Sequence, residues 1–240
     1  MKAKYFITGT SAGLGEALAK LFANDAHVEG YARRDQSING NYQHHVIDLS
    51  DLDQVNQIQF TGEESHWVLI NNAGTIGPIK KAGFQSKNDI ANVFDLNVSS
   101  LCLIMDRFIE SVKKNNKQAT IINVSSGAGS YPIPGWAAYC ASKAAVDMYS
   151  ETVQQELNED QYPIRVLSLA PGVVDTPMQG QIREASSQHF SRVNEFIAKK
   201  KEGELSDPQT VALKIEYILN HPQEFSGVKC SVRDVIWPNN

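Results

Sequence analysis

The chain has 240 residues, 42% of them apolar and 20% charged, which supplies a sizeable core and excludes global disorder. Twenty-two basic against 27 acidic residues leave a net charge of −5, so the clustered positive field that non-specific nucleic-acid binding needs is missing. No run nears the roughly 18 apolar residues of a membrane span, and three cysteines make no disulfide framework and point to a reducing compartment.

Short apolar runs alternate with longer helical patterns along the chain. Strand-like sequence opens at Tyr5–Thr8, leaving no room for a secretory leader and making the cytoplasm the expected location. A helix is predicted over Gly13–Ala23, then strands at His27–Tyr31 and His44–Ile47, where the adjacent His44 and His45 point to opposite faces. A helix over Leu52–Phe60 and a strand at Trp67–Ile70 follow. Next come a long helix over Asp89–Lys114, a strand at Thr120–Val124 and a helix over Trp136–Asn158. Arg165–Leu169 reads as a strand, Pro208–Leu219 as a helix started by Ser206 or Asp207, and Val228–Val232 as a weak last strand. Near-continuous apolar strands alternating with helices imply α/β architecture: one domain over residues 1–240, with a doubly wound parallel sheet of about seven strands and helices on both faces. Residues 172–206 break the alternation as a polar, partly helical insert, expected to be a substrate lid. Its Met178, Ile182, Phe190, Val193, Phe196 and Ile197 either line an apolar pocket or pack the insert onto the body. The histidines (His27, His44, His45, His66, His189 and His221) offer no metal-site spacing, and no metal is expected.

Between the first strand and first helix lies Thr8-Gly9-Thr10-Ser11-Ala12-Gly13-Leu14-Gly15. Three glycines there allow a tight turn and close approach of a dinucleotide diphosphate, which then meets the free N–H groups of a helix start. The second strand ends in Tyr31-Ala32-Arg33-Arg34, where an NAD site usually carries a carboxylate. Arginine there pairs with a 2′-phosphate, so NADP(H) is favoured over NAD(H), with Asp35 the residue that argues the other way.

Ser125-Ser126 ends the fifth strand, and Tyr139-Cys140-Ala141-Ser142-Lys143 opens the helix after it. Tyr139 and Lys143 are i and i+4, neighbours on one helix face. An ammonium beside a phenol favours phenolate, so Lys143 is expected to draw Tyr139 down from its usual value near 10 toward working pH. Ser126 is placed to hold a substrate oxygen against Tyr139. Cys140 reads as a buried small hydrophobe.

Taken together, these motifs resemble the short-chain dehydrogenase/reductase family. The loop Thr8 to Gly15, Asn71-Asn72-Ala73-Gly74, Asn97, Ser126, the Tyr139/Lys143 pair and Pro171-Gly172 followed by Thr176 occur in that family's order over essentially the whole chain. The resemblance implies a Rossmann fold with Asn97, Ser126, Tyr139 and Lys143 as catalytic residues, Asn97 placing a relay water. It implies cofactor contacts from Gly9, Ser11, Gly13, Leu14 and Gly15 at the diphosphate, Arg33 and Arg34 at the 2′-phosphate, and Asp48 and Leu49 at the adenine. Asn72 and Gly74 would flank the cofactor ribose, Lys143 would hold the nicotinamide ribose hydroxyls and Thr176 the carboxamide, with Tyr139, Pro171, Gly172 and Val174 as further cofactor contacts. Ala12 stands where the family often has a basic residue.

A narrower resemblance joins Gly135-Trp136-Ala137-Ala138-Tyr139-Cys140, Asp147-Met148 and Ala170 to Gln179 to the sepiapterin reductase branch and the bacterial benzil reductases. The aspartate that anchors the pterin in sepiapterin reductase falls at Ser231 here, with Asp234 three residues on. A hydroxyl cannot pair with a guanidine-like edge as a carboxylate does. The expectation is therefore an NADPH-dependent carbonyl reductase acting on a ketone or benzil-like 1,2-diketone, with Tyr139 as proton donor. The alternatives are a pterin reductase, a lyase or epimerase on the same fold, and a catalytically silent nucleotide sensor. A small-molecule carbonyl substrate is the expected partner, with no nucleic acid and no membrane. The family resemblance also implies a homodimer or homotetramer, for which Ala144, Ala145, Met148 and Val153 offer a face unless they cover the sheet.

Overall fold

The computed structural model describes residues 3–236. Its strands are β1 (Ala3–Thr8), β2 (His27–Ala32), β3 (Tyr42–Val46), β4 (His66–Asn71), β5 (Gln118–Val124), β6 (Ile164–Ala170) and β7 (Lys229–Ser231). All pair in parallel in one sheet, in the order β3-β2-β1-β4-β5-β6-β7. The helices are α1 (Gly13–Phe22), α2 (Leu52–Val55), α3 (Lys87–Phe94), α4 (Ser100–Lys114), α5 (Ala137–Glu159), α6 (Pro177–Arg183), α7 (Val193–Lys201) and α8 (Pro208–Asn220). None is long and apolar enough to cross a membrane.

Both faces of the sheet are covered because successive strand residues point to opposite sides. Ile7, Val68, Ile70, Ile122 and Leu167 meet Leu14, Leu18 and Phe22 of α1 and Val211, Ile215 and Ile218 of α8. Their neighbours Phe6, Trp67, Leu69, Ile121 and Val166 meet Leu101, Met105 and Phe108 of α4 and Val146 and Leu157 of α5. The strand order reverses between β1 and β4, which opens a crevice above their carboxyl ends, where ligands bind in open α/β sheets. Asp207 is the residue that starts α8, its side chain accepting from the Thr210 N–H ahead of Pro208.

Two predicted helices end differently. The one expected over Leu52–Phe60 stops at Val55, because the chain turns at Asn56–Gln57 and then buries Ile58 and Phe60 outside any helix, Phe60 edge-on to Phe6 and Phe108. Their apolar spacing recorded burial rather than a helix face. The helix expected over Asp89–Lys114 is two helices, α3 and α4, joined by a π-helical turn at Asp95–Ser99. Such a turn carries one extra residue and recurs at functional sites. At its centre Asn97 is buried, 1% exposed.

A second polar group is buried under β1 and β2. The Lys4 ammonium pairs with Glu29, whose carboxylate also meets His45 Nε2 at 3.0 Å and accepts from the Tyr31 hydroxyl at 3.2 Å. His44 points the other way, its Nδ1 2.6 Å from the Tyr42 hydroxyl, as the strand period requires. Breaking a buried pair from one side leaves a bare charge and costs about 3–5 kcal/mol, whereas removing both partners is often near neutral. Glu29→Gln is therefore expected to cost about that much in urea unfolding, and Glu29→Gln with Lys4→Met to recover most of it. Equal losses in the single and double variants would contradict the pairing.

Candidate active site

The glycine-rich loop is built by backbone packing on backbone. A Cβ on Gly15 would lie 2.3 Å from the Gly9 carbonyl oxygen, and one on Gly9 2.9 Å from Ala73 Cα. Gly9 and Gly13 also hold left-handed φ of +76° and +61°, which a side chain resists. The Thr8 hydroxyl accepts from the N–H groups of Asn72 and Ala73, each at 3.0 Å, and Asn72 Nδ2 donates to the Thr8 carbonyl at 3.0 Å. The loop is thereby braced against β4. Ala12, the residue before α1, offers no side-chain cap, so the first N–H groups of that helix stay available to an anion. Gly13 additionally faces the Thr176 methyl, and a Cβ there would meet it at 3.0 Å. This cradle fits a dinucleotide diphosphate.

Arg33 and Arg34 lie at its rim. The Arg33 side chain is 71% exposed, with Nη1 3.9 Å from Asp48 Oδ2, and Arg34 Nη2 donates weakly to Ser11 Oγ at 3.4 Å. Asp35 is turned onto its own backbone, Oδ1 accepting from the Gln36 N–H at 3.0 Å. Asp48 accepts from the Ser50 hydroxyl and N–H at 2.6 and 2.9 Å, and Leu49 beside it is buried.

Tyr139 and Lys143 occupy the first turns of α5, 7% and 5% exposed. The Ser126 hydroxyl hydrogen-bonds the Tyr139 phenol and also accepts from the Ala128 N–H at 3.2 Å. Lys143 Nζ lies 5.9 Å from the Tyr139 ring centre and donates to the Val124 carbonyl at 2.7 Å. Asn97 reaches the same place from the π turn. Its Nδ2 donates to the Thr75 carbonyl at 2.8 Å and to Ser142 Oγ at 3.0 Å, and its Oδ1 accepts from the Thr75 N–H at 2.8 Å. A Cβ on Gly74 would come 3.3 Å from Asn97 Oδ1 and 3.6 Å from Lys143 Nζ, so this glycine separates the two. All four residues expected to be catalytic therefore converge.

Their charge state is not the one expected. Lys143 was to draw the phenol down, yet burial pushes Tyr139 up to about 12, against the Ser126 hydrogen bond, which favours phenolate. The same burial lowers Lys143 to about 8, against the field of Asp147. The physical reason is desolvation: the ammonium points at the Val124 carbonyl, and the phenol is packed against Trp136 and the residues of the insert.

That insert packs down as two helices. Ile182, Phe190, Val193 and Phe196 are buried in one cluster with Ile133, Trp136 and Tyr139, and Met178 is partly buried against it, whereas Ile197 is exposed. Trp136 stacks on Phe190 with ring centres 5.3 Å apart and meets Tyr139 edge-on at 5.8 Å. Pro171 and Gly172 follow β6, Val174 is buried and bridges to Ser206, and Thr176 starts α6. The face proposed for subunit packing divides: Met148 is 64% exposed and Ala144 is exposed, but Val153 is buried in the α4/α5 core, so it covers the sheet. Ser231 closes β7, and Asp234 turns back to accept from its N–H at 2.8 Å. Sequence reasoning missed Trp136 as the ring that caps Tyr139. It also missed Asp147, visible only as an acid one helical turn beyond Lys143.

Comparison with known proteins agrees with this geometry. The short chain dehydrogenase family profile matches residues 4–187. The chain is 39% identical over 232 residues to a benzil reductase ((S)-benzoin forming) of Bacillus cereus, covering 89% of this chain and 92% of that one. It is 38% identical over 172 residues to the sepiapterin reductase of Rattus norvegicus, covering 70% of this chain and 63% of that one. Among solved structures, a short chain dehydrogenase/reductase from Saccharomyces cerevisiae superposes with a TM-score of 0.81 at 24% identity, covering 97% of this chain and 96% of that one. A braced glycine loop under an uncapped helix, with a serine, a tyrosine and a lysine gathered at the strand ends, thus sits in a chain that belongs to the short chain dehydrogenase family.

Proposed function

We propose that the protein is an NADPH-dependent carbonyl reductase acting on a ketone or 1,2-diketone of the benzil type. The observation that carries the reading is the Ser126–Tyr139 hydrogen bond at the carboxyl end of the sheet, beside Lys143 and above the braced phosphate loop. Gly9, Ser11, Gly13, Leu14 and Gly15 would hold the diphosphate, and Arg33 and Arg34 the 2′-phosphate. Asp48, Leu49, Asn72, Gly74, Pro171, Gly172, Val174 and Thr176 would line the rest of the cofactor's length. Bound NADPH supplies the hydride.

The chain's own residues do the proton chemistry. Ser126 holds the carbonyl oxygen, and Tyr139 gives its phenolic proton to that oxygen as charge develops on it. A phenol held protonated by burial starts the reduction in the form that can donate. Lys143 favours the phenolate left behind, and the route for the returning proton passes Gly74 toward Asn97. The Trp136–Phe190–Phe196 stack excludes water from these groups and gives an aromatic substrate an apolar seat. Pterin reduction is the weaker reading because Asp234, the nearest acid to Ser231, is committed to backbone. The site stands in one copy of the chain. A homodimer or homotetramer through the exposed part of α5, in the cytoplasm, completes the proposal.

Tyr139→Phe is expected to keep NADPH binding while lowering kcat for benzil by about 10²- to 10⁴-fold, the usual contribution of a positioned proton donor. Turnover near the wild-type rate would remove Tyr139 from that role. Arg33→Ala is expected to cost about ten- to a hundredfold in kcat/KM with NADPH, matching about 1.5–3 kcal/mol for a charged hydrogen bond, and little with NADH. A wild-type preference for NADH would overturn the cofactor assignment. Ser231→Asp is expected to raise turnover of a pterin ketone relative to benzil; an unchanged ratio would place the difference in pocket shape.

A further inference from the structure

Asp147 is a carboxylate that the proposed proton chemistry does not use, 7% exposed and in the middle of α5. It lies four residues after Lys143, which puts the two side chains on one helix face. Its Oδ1 accepts from the Ser168 hydroxyl of β6 at 2.6 Å. Its Oδ2 lies against Gly129, where a Cβ would come 2.9 Å from that oxygen and 2.9 Å from the Lys143 carbonyl carbon. A glycine in the short turn at Gly127–Gly129 therefore leaves room for the carboxylate beside the lysine's own turn. Lys143 needs a counter-charge. Its ammonium is buried and donates to a neutral carbonyl, that of Val124. A buried ammonium without compensation reverts to the amine.

We propose that Asp147 is a positioning residue for Lys143: pinned by Ser168 and given room by Gly129, its carboxylate supplies the negative field that keeps the lysine an ammonium in a dry pocket. The groups facing Lys143 are consistent with this. α5 presents Tyr139 and Asp147, with Cys140 beside the phenol. β5 presents the Val124 carbonyl and Ser125, the π turn Asn97, the Asn71–Gly74 turn its glycine, and β6 reaches Asp147 through Ser168. Among the described residues, Asp147 is the acid whose field raises the lysine against burial. The inference rests on the proposed role of Lys143 in proton transfer, but its first test does not need turnover.

Folded Lys143 titrates at about 8 and the unfolded lysine at 10.5. Between those values the unfolded chain binds the extra proton, so unfolding free energy rises with pH across that window. Removing the carboxylate's field lowers the folded value further and opens the window at lower pH. Urea unfolding from pH 6 to 10 is expected to show the rise in Asp147→Asn beginning at lower pH than in wild type. Ser168→Ala, which keeps the acid but loses its tether, is expected to shift it the same way by less. In a Lys143→Met background, Asp147→Asn is expected to leave the pH dependence unchanged. Coincident curves for wild type, Asp147→Asn and Ser168→Ala, or an equal shift without the lysine, would overturn the assignment. The second measurement is the pH profile of benzil reduction, whose lysine-dependent limb is expected to move to lower pH in Asp147→Asn and Ser168→Ala. A wild-type enzyme inactive on every dicarbonyl would sink the reductase reading alone, leaving the unfolding curves to judge Asp147.

Discussion

The hydrogen bond from the Lys143 ammonium to the Val124 carbonyl ties the first turns of α5 to the carboxyl end of β5, and much of the site is arranged around the cost of burying that charge. Val124 ends the strand just before Ser125-Ser126, so the lysine reads the position of the serine that faces Tyr139. Asn97 and Gly74 close the other side, one by spending its amide on the Thr75 backbone and the other by having no side chain. A charge here is stable only while each wall stays in place. Order at the strand ends and burial of the Tyr139/Lys143 pair are thus met by the same contacts.

The cofactor end works on a different principle. It has no buried charge of its own. Its precision comes from main chain lying on main chain, with Gly9 and Gly15 against each other and Thr8 bracing the turn after β4. The arginines stay hydrated at the solvent rim, outside the packed backbone of the loop. The glycine loop with its arginine rim and the Tyr139/Lys143 pair are therefore built by different elements and by different kinds of contact.

Much of this was legible in the sequence because it depends on local geometry. The loop Thr8 to Gly15, the i,i+4 spacing of Tyr139 and Lys143, and the strand periodicity that sends His44 and His45 to opposite faces follow from backbone rules that need no neighbours. The errors share a cause. Ile58 and Phe60 extend the apolar pattern of α2 yet bury beyond its end, and Asp95–Ser99 takes a π turn inside an amphipathic stretch, because tertiary partners decide both. The direction of the Tyr139 shift was missed for the same reason. Spacing placed an ammonium nearby, while the depth of burial came from an insert some forty residues downstream. Val153 reads as a surface position only until α4 is laid beside it.

The seal over Tyr139 is an indole lying on a phenyl ring, with Trp136 stacked on Phe190. Under the proposed reading, a molecule seated beside the phenol would rest against these rings. An aromatic guest exchanges one stacking partner for another, whereas an aliphatic guest leaves the indole face bare. Under the proposed reading this ring pair would favour aromatic visitors, and because the indole is a fluorophore, a guest resting on it would carry its own optical signal.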